Sequence, residues 1–243
     1  IQRLFLEVVE KAKEFESTVI DVDYLEMVLR STKANRAVGS DGISNQDLRH
    51  APREAKSALV DIINEVIAKL TVPKQWLLNV VQLLPKPKGG DRPLTLTSAA
   101  FSLTMGCFSM AMKEWQEGQN AFWDDAIRGS SALRPALQRR LLDELEAVEG
   151  KNSITGYCDI EKFYDSISIT KLVYHALECD FPAEALALIL QVHLSERVVR
   201  VNDWVSEQLT PYTSIIAGCK SSGHLARVIM YPLLRKQHED YMP

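Results

Sequence analysis

The residue of this sequence best suited to chemistry is Asp159, a carboxylate within the stretch of residues 153–160. Apolar and other residues alternate along this stretch, which predicts a strand with Tyr157 and Asp159 on the same face. Asp159 then lies at the open end of the strand. A carboxylate there can hold Mg²⁺, a hard cation that takes oxygen ligands and keeps positions for water and substrate phosphates. Because one carboxylate does not make a metal site, the surrounding sequence decides the interpretation.

The residues that follow Asp159 extend the pattern. The run Asp159-x-x-x-x-Tyr164-Asp165 resembles the first catalytic motif of reverse transcriptases, and it is most similar to the enzymes of non-LTR (LINE-type) retrotransposons and group II introns. Four other stretches resemble further blocks of that family, in the family's order: residues 33–48 with Asp41-Gly42, residues 76–97 with Asp91-Arg92, residues 128–131 and residues 217–223. The resemblance covers most of the chain.

The resemblance implies both a fold and a reaction. The expected fold class is α+β: the fingers and the first part of the palm of a right-hand polymerase fold, without the rest of it. Residues 1–32 are expected to form an N-terminal helical extension, residues 33–150 the fingers region, and residues 151–243 part of the palm. The implied function is template-directed nucleotidyl transfer on an RNA template with a DNA primer and deoxynucleoside triphosphates, using two Mg²⁺ ions.

The resemblance also assigns roles around the expected metal ions. Asp159 is the catalytic residue, and its carboxylate and the backbone carbonyl of Ile160 are the expected metal ligands. Tyr164 corresponds to the aromatic gate whose ring lies under the incoming sugar and excludes a 2′-OH. Phe163 lies beside it in the expected sugar pocket.

Further roles concern the triphosphate and the nucleic acid. Lys86 and Arg92 match the finger-loop cations that fold onto the triphosphate, and an Arg can hold a phosphate with two parallel hydrogen bonds. Ser221 and Ser222 occupy the place of a Gln and a Gly that lie against the nascent base pair. The expected nucleic-acid-binding cations are Lys74, Lys88, Arg128 and Lys220.

Three features depart from the family's pattern. Ser221 and Ser222 replace the Gln-Gly pair, and a small residue is common in the family at the position of Phe163. The family's paired aspartates, which follow this region, have no counterpart between His224 and Pro243. The fragment alone is therefore expected to be inactive.

Two other interpretations stay open at this point. A degenerate retroelement remnant keeps the fold and has lost the reaction, whereas a helical module that binds RNA or protein performs no chemistry. A downstream Asp-Asp hairpin in the gene favours the enzyme. Affinity for primer and template without any dependence on Mg²⁺ favours the binding module.

Composition limits the class of protein. With 243 residues, of which 46% are hydrophobic, the chain can bury a core and form one large or two small domains. Its net charge of −4 is not the basic balance of a nucleic-acid-binding protein. The charges are unevenly distributed, however: residues 72–93 contain four cations and a single acid, Asp91, and so form a locally basic stretch.

Cysteine usage and hydropathy bear on location. The four cysteines are spread without a C-x-x-C pair, so neither a zinc site nor a disulfide framework is indicated. We expect a reducing, intracellular setting: the nucleus for a LINE-type element, with an organelle as the alternative. Residues 93–112 are uncharged, but hydroxyl side chains interrupt them too often for a membrane span. A buried helix and no membrane partner are expected.

The elements that must position these residues are mostly helices. Amphipathic patterns, caps and breakers predict helices over residues 2–13, 23–29, 47 or 51 to 70, 98–116, 132–148, 168–179, 182–194 and 222–231. Strands are predicted over residues 77–84 and 153–160, and a hairpin over 197–201 and 205–216 that turns at Asn202-Asp203.

Overall fold

The computed structural model of the chain describes residues 2–119, 124–125 and 130–241, with side chains as far as residue 236. Within these ranges the protein is a mixed α and β fold with eleven α-helices and a small four-stranded mixed sheet. None of the helices in these ranges is long and apolar enough to cross a membrane.

The helices alternate with short connections along the chain. Those of the first half are α1 (Gln2–Lys13), α2 (Val22–Ser31), α3 (Asn45–His50), α4 (Arg53–Lys69), α5 (Ala99–Cys107) and α6 (Ser109–Gln119). Those of the second half are α7 (Leu133–Val148), α8 (Phe163–Ser166), α9 (Ile169–Glu178), α10 (Ala183–His193) and α11 (Ser222–Tyr241). The strands are β1 (Asn79–Pro85), β2 (Asp91–Leu96), β3 (Arg197–Val201) and β4 (Trp204–Val205), and a short 3₁₀ helix (Lys74–Trp76) precedes β1.

Side-chain caps set where several helices begin. The carboxylate of Asp21 accepts a hydrogen bond from the backbone of the first turn of α2, and Ser44 and Asp47 form a reciprocal capping box at α3. Such caps satisfy backbone N–H groups that have no partner within the helix. Helix α4 ends at Lys69. The next residue, Leu70, caps the helix: it adopts a left-handed conformation and donates its N–H to the carbonyl of Ile67.

Helix α10 lies at the centre of the core. Residues 185–190 are all buried, as expected of a helix that is hydrophobic on every face. Helix α1 packs along α10, α9 packs against α11 and α1, and α2 packs against α4 and α5. One connected hydrophobic cluster therefore includes Val8, Phe101 and Leu225, one from each of the three predicted regions. The boundaries of those regions stay a prediction.

The sheet has the strand order β2-β1-β3-β4. Strands β1 and β2 form an antiparallel hairpin in which Leu84 is opposite Arg92, β1 and β3 are parallel, and β3 and β4 are antiparallel. The parallel pair requires a long crossover, which runs from α5 to α10. Asn79, buried at the start of β1, donates a hydrogen bond of 2.9 Å to the carbonyl of Val192 and so ties the sheet to α10.

Most predicted helices are confirmed with small shifts at their ends. The helix predicted over residues 98–116 is two helices, α5 and α6, separated at Phe108. Helix α11 continues past Pro232, beyond its predicted end at Tyr231, because a proline removes one helical hydrogen bond without forbidding the rest. The turn at Asn202-Asp203 is confirmed, but β4 is only two residues long.

Two differences concern strands. Strand β2 is not predicted, because Pro93 argues against a strand interior; β2 is an edge strand of this sheet, where proline is tolerated. The prediction of a strand over residues 153–160 is wrong, since residues 151–160 have no regular secondary structure and are exposed. Alternation of apolar and polar residues is the pattern of a strand, but a strand forms only where its backbone can pair with a neighbouring strand. The pattern alone does not show whether such a neighbour exists.

Candidate functional site

Asp159 lies at the surface in the exposed segment of residues 151–160, where Tyr157 is 91% exposed. In the part of the chain that the structure describes, the Asp159 carboxylate has no hydrogen bond or ion pair. Ile160, whose carbonyl the resemblance makes a metal ligand, is exposed as well. The segment is attached to α7 by a hydrogen bond of 3.0 Å from the Ser153 hydroxyl to the carboxylate of Asp143. Within the described part of the chain, neither a hydrogen bond nor an ion pair of its side chain therefore joins Asp159 to another predicted site residue.

The described residues do not form a metal site by themselves. Within the described ranges, no group of three or more His, Cys, Asp or Glu side chains is arranged to hold an ion. The carboxyl group of Asp165 lies near enough to the guanidinium of Arg197 to interact with its charge. Two-metal transfer needs ligands on both sides of the ions, and Asp159 supplies one carboxylate. The described residues therefore supply one part of the donor set for the two Mg²⁺ ions that the resemblance implies, and that metal site stays a prediction.

The predicted sugar-pocket aromatics lie at the start of α8. Phe163 and Tyr164 are half-buried, with ring centroids 5.8 Å apart. The carbonyl of Tyr164 accepts a hydrogen bond of 3.0 Å from the N–H of Ile215, which joins α8 to the segment before α11. Tyr164 borders an open pocket of about 360 Å³ whose other wall is α11, including Arg227. The residue predicted to meet the sugar therefore faces a space into which a ligand can enter.

An ion pair closes one side of this pocket. The Nε of Arg227 lies 2.9 Å from a carboxylate oxygen of Asp124, and both side chains are largely buried. The hydroxyl of Tyr231 donates to the same oxygen at 2.6 Å. Burial, with Asp124 beside it, raises the pKa of Tyr231, so the hydroxyl stays protonated. These contacts hold α11 to the residues before α7 and fix the wall that faces Tyr164.

Ser221 and Ser222 are buried at the start of α11. The hydroxyl of Ser222 donates to the carbonyl of Ile216, and the hydroxyl of Ser221 lies 3.1 Å from the sulfur of Cys219. Both side chains are therefore engaged within the protein. Lys220, the residue before them, is exposed and lines a different pocket, next to α5.

The predicted phosphate-binding cations lie on the β1–β2 hairpin. Lys86, Lys88 and Arg92 are exposed around a tight turn that the N–H of Lys86 closes with a 2.9 Å hydrogen bond to the carbonyl of Gly90. In the described part of the chain these three side chains form no ion pair. Lys74 is exposed at the other end of the hairpin, in the 3₁₀ helix. An unpaired cationic tip of this kind is suited to bind phosphate.

The loop of residues 217–223 joins the hairpin to α11. The N–H of Thr95 on β2 donates to the carbonyl of Ala217 at 2.8 Å. At Gly218, φ is +108° and a Cβ would lie 2.7 Å from the carbonyl oxygen of Thr95, so this close approach requires glycine. The hairpin base, this loop and, through residues 214–216, the α8 aromatics are thus one connected region.

The Asp-Gly block of residues 33–48 has a structural function. The carboxylate of Asp41 accepts hydrogen bonds from the hydroxyl of Ser98 at 2.9 Å and from the N–H of Ala99 at 2.7 Å, which caps the start of α5. The same block contains Arg36, which donates to the carbonyl of Gly218 at 3.0 Å. Sequence reasoning missed Arg36, although its place within the block, a few residues before Asp41-Gly42, was a usable signal.

One predicted residue, Arg128, lies outside the described residues, so its nucleic-acid-binding role stays a prediction. No protein-family model matches the chain, and no characterised protein matches its sequence significantly. The resemblance to reverse transcriptases therefore stays a prediction from the order of the sequence blocks.

Proposed function

We propose that this chain is the fingers and the first part of the palm of an RNA-directed DNA polymerase from a LINE-like or group II-like retroelement. One observation carries the proposal: residues of three separate sequence blocks meet in one connected region. Thr95 on β2 is joined to the loop of residues 217–223 by a backbone hydrogen bond and close packing. Tyr164 on α8 is bonded to Ile215, two residues before that loop, and shares a pocket with Gly223.

In this proposal the hairpin tip and the Tyr164 pocket bind different parts of one substrate. The exposed Lys86 and Arg92 bind phosphate groups of the triphosphate and of the template, and the ring of Tyr164 faces the deoxyribose in the pocket beside α11. RNA template and DNA primer are the macromolecular partners. Asp159 supplies one carboxylate, and the paired aspartates of the family come from a further segment. The net negative charge is no obstacle, because the tip is locally basic and its cations are unpaired.

The first prediction concerns binding of an RNA template annealed to a DNA primer with a recessed 3′ end. We expect the combined substitutions Lys86→Ala and Arg92→Ala to weaken binding of this hybrid. We also expect the slope of log affinity against log salt concentration to become shallower by about 1.5 to 2 units. The reason is that a phosphate that the protein no longer contacts keeps its counterion. Titration of the labelled hybrid at several salt concentrations measures both effects.

A matched control removes two exposed cations far along the chain from the hairpin. Lys13 on α1 and Lys171 on α9 are exposed, and their replacement by Ala changes the net charge equally. We expect this variant to keep the slope of the unmodified chain. Equal slopes for all three proteins would rule out the hairpin as the phosphate-binding element.

A second candidate function is an RNA-binding module without chemistry. The exposed, isolated position of Asp159 and the burial of Ser221 and Ser222 favour it. The two candidates differ in the nucleic acid that they prefer. A polymerase fragment binds the recessed primer end more tightly than a blunt duplex of the same length, whereas the module binds both equally.

A further inference from the structure

Cations from two distant parts of the chain line one pocket. The pocket has a volume of about 380 Å³ and lies between the end of α2, helix α5 and the loop of residues 217–223. Its polar lining comprises Lys33, Arg36 and Lys220, together with Ser31, Thr32, Asn45 and Ser102. Among the residues that line it there is no Asp or Glu, and the three cations form no ion pair within the described chain. Three positive charges are thus brought together without a counter-charge.

Arg36 is held in place by the protein. Its guanidinium donates to the hydroxyl of Ser102 at 3.2 Å and to the carbonyl of Gly218 at 3.0 Å. Two of its five N–H groups are used by these bonds, which leaves donors for a ligand. A guanidinium that is already oriented loses little conformational entropy when it binds an anion.

Lys220 reaches the pocket because α5 has a glycine at that point. A Cβ on Gly106 would lie 3.0 Å from the Nζ of Lys220 and 2.5 Å from a methyl of Val28, so any side chain there would displace the ammonium group. Burial lowers the pKa of Lys220, and the neighbouring Arg36 lowers it further. An anion in the pocket would relieve this repulsion.

Two thiols close to Lys220 do not supply the missing charge. Cys107 and Cys219 lie near enough to interact with its ammonium group. Burial raises the pKa of both thiols, that of Cys107 to about 12, so they are uncharged near neutral pH. The counter-charge must therefore come from solution or from a ligand.

We propose that this pocket binds phosphate groups carrying at least two negative charges in total, with Lys33, Arg36 and Lys220 as the binding residues. Arg matches phosphate geometry with paired donors, and each Lys adds a point charge. Pyrophosphate groups and two adjacent phosphates of a nucleic-acid backbone share this chemistry. The site is distinct from the hairpin tip, and it holds whether or not the chain is a polymerase.

The test is calorimetric titration of the chain with inorganic pyrophosphate at constant ionic strength. We expect saturable binding, and we expect Lys33→Gln and Lys220→Gln each to weaken it by about tenfold or more, as loss of a charge-assisted hydrogen bond does. Lys13→Gln, on α1, is the matched control and keeps full affinity. Absence of binding to the unmodified chain, or an equal loss in the Lys13→Gln protein, overturns the proposal.

Two further titrations separate this site from the proposed function and identify the source of the phosphates. The first compares pyrophosphate affinity of the Lys86→Ala, Arg92→Ala protein with that of the Lys33→Gln and Lys220→Gln proteins; a larger loss in the hairpin variant than in the two pocket variants would move the site to the hairpin and overturn the assignment. A short single-stranded RNA that displaces pyrophosphate from the unmodified chain, but binds the Lys220→Gln protein weakly, assigns the pocket to backbone phosphates. RNA binding that leaves bound pyrophosphate in place assigns it to free phosphate compounds.

Discussion

At the scale of single residues, His193 shows how burial determines a protonation state. This histidine is completely buried at the end of α10, and its Nδ1 accepts a hydrogen bond of 3.3 Å from the N–H of Ile216. Burial, assisted by the positive charge of Arg197, lowers its pKa from 6.5 to about 3. The neutral ring therefore joins α10 to the segment before α11. The same segment is bonded to the carbonyl of Tyr164 on α8.

This shift predicts a loss of stability in acid. The unfolded chain binds a proton at this residue below pH 6.5 and the folded chain does not, so its contribution is complete above pH 6.5 and declines as the pH falls towards 3. Between pH 6.5 and pH 5 we expect about 2 kcal/mol of unfolding free energy to be lost through this residue. The measurement is urea unfolding at pH 7.5, 6 and 5.

The substitution His193→Asn isolates the effect from other titrating groups. The amide oxygen can accept the bond from Ile216, but the side chain does not titrate. We expect the variant to be less stable than the unmodified chain at pH 7.5 and the gap to narrow as the pH falls. A gap that is constant with pH would mean that His193 does not titrate differently in the two states.

At the scale of elements, the loop around Gly39 is docked against the start of α5. A Cβ on Gly39 would lie 2.6 Å from the carbonyl carbon of Thr97, which is backbone and cannot move aside alone. We expect Gly39→Ala to destabilise the fold by about 1 to 3 kcal/mol, as overpacking does. It should also disturb the Asp41 cap on α5. Urea unfolding measures the loss.

Gly118 in α6 offers the opposite case for comparison. Among the residues that the structure describes, a Cβ there meets no atom within 4 Å. Because alanine favours the helix over glycine, Gly118→Ala is expected to be neutral or stabilising by up to about 1 kcal/mol. Equal effects at the two positions would show that the contact with Thr97 does not constrain the loop.

The elements also show what the sequence could predict. Periodicity and caps locate α1, α2, α9 and α10 well, because burial of one stripe and satisfaction of the first turn are local properties. Pairing of strands is not local: Pro93 is acceptable only because β2 is an edge, and residues 153–160 have the pattern without a partner. Likewise the roles of Tyr164 and of the hairpin cations are predictions from motifs, whereas the pocket of Arg36 and Lys220 needs the fold that brings them together.

At the scale of the whole molecule, one surface region differs from the rest. Helix α7 has no buried residue, and Leu137, Leu141 and Leu145 are all more than half exposed. The segment of residues 151–160, which carries Asp159, follows directly and is exposed along its whole length. Exposed leucines that recur at this spacing on one helix are typical of a contact with further protein. The proposed polymerase requires such a contact, since its remaining carboxylates must approach Asp159.

The last prediction follows from this exposed position. Asp159→Asn removes no contact in the described structure, so we expect the free energy of unfolding to change by less than about 0.5 kcal/mol and the affinity for the template–primer hybrid to be unchanged. With one carboxylate, the chain alone is expected to incorporate no labelled deoxynucleotide on an RNA template. In protein expressed from the complete gene we expect incorporation, and Asp159→Asn should abolish it, whereas Asp203→Asn in the exposed β3–β4 turn should not. Synthesis by the chain alone, or undiminished synthesis by the complete Asp159→Asn protein, would show that the reaction centre lies elsewhere.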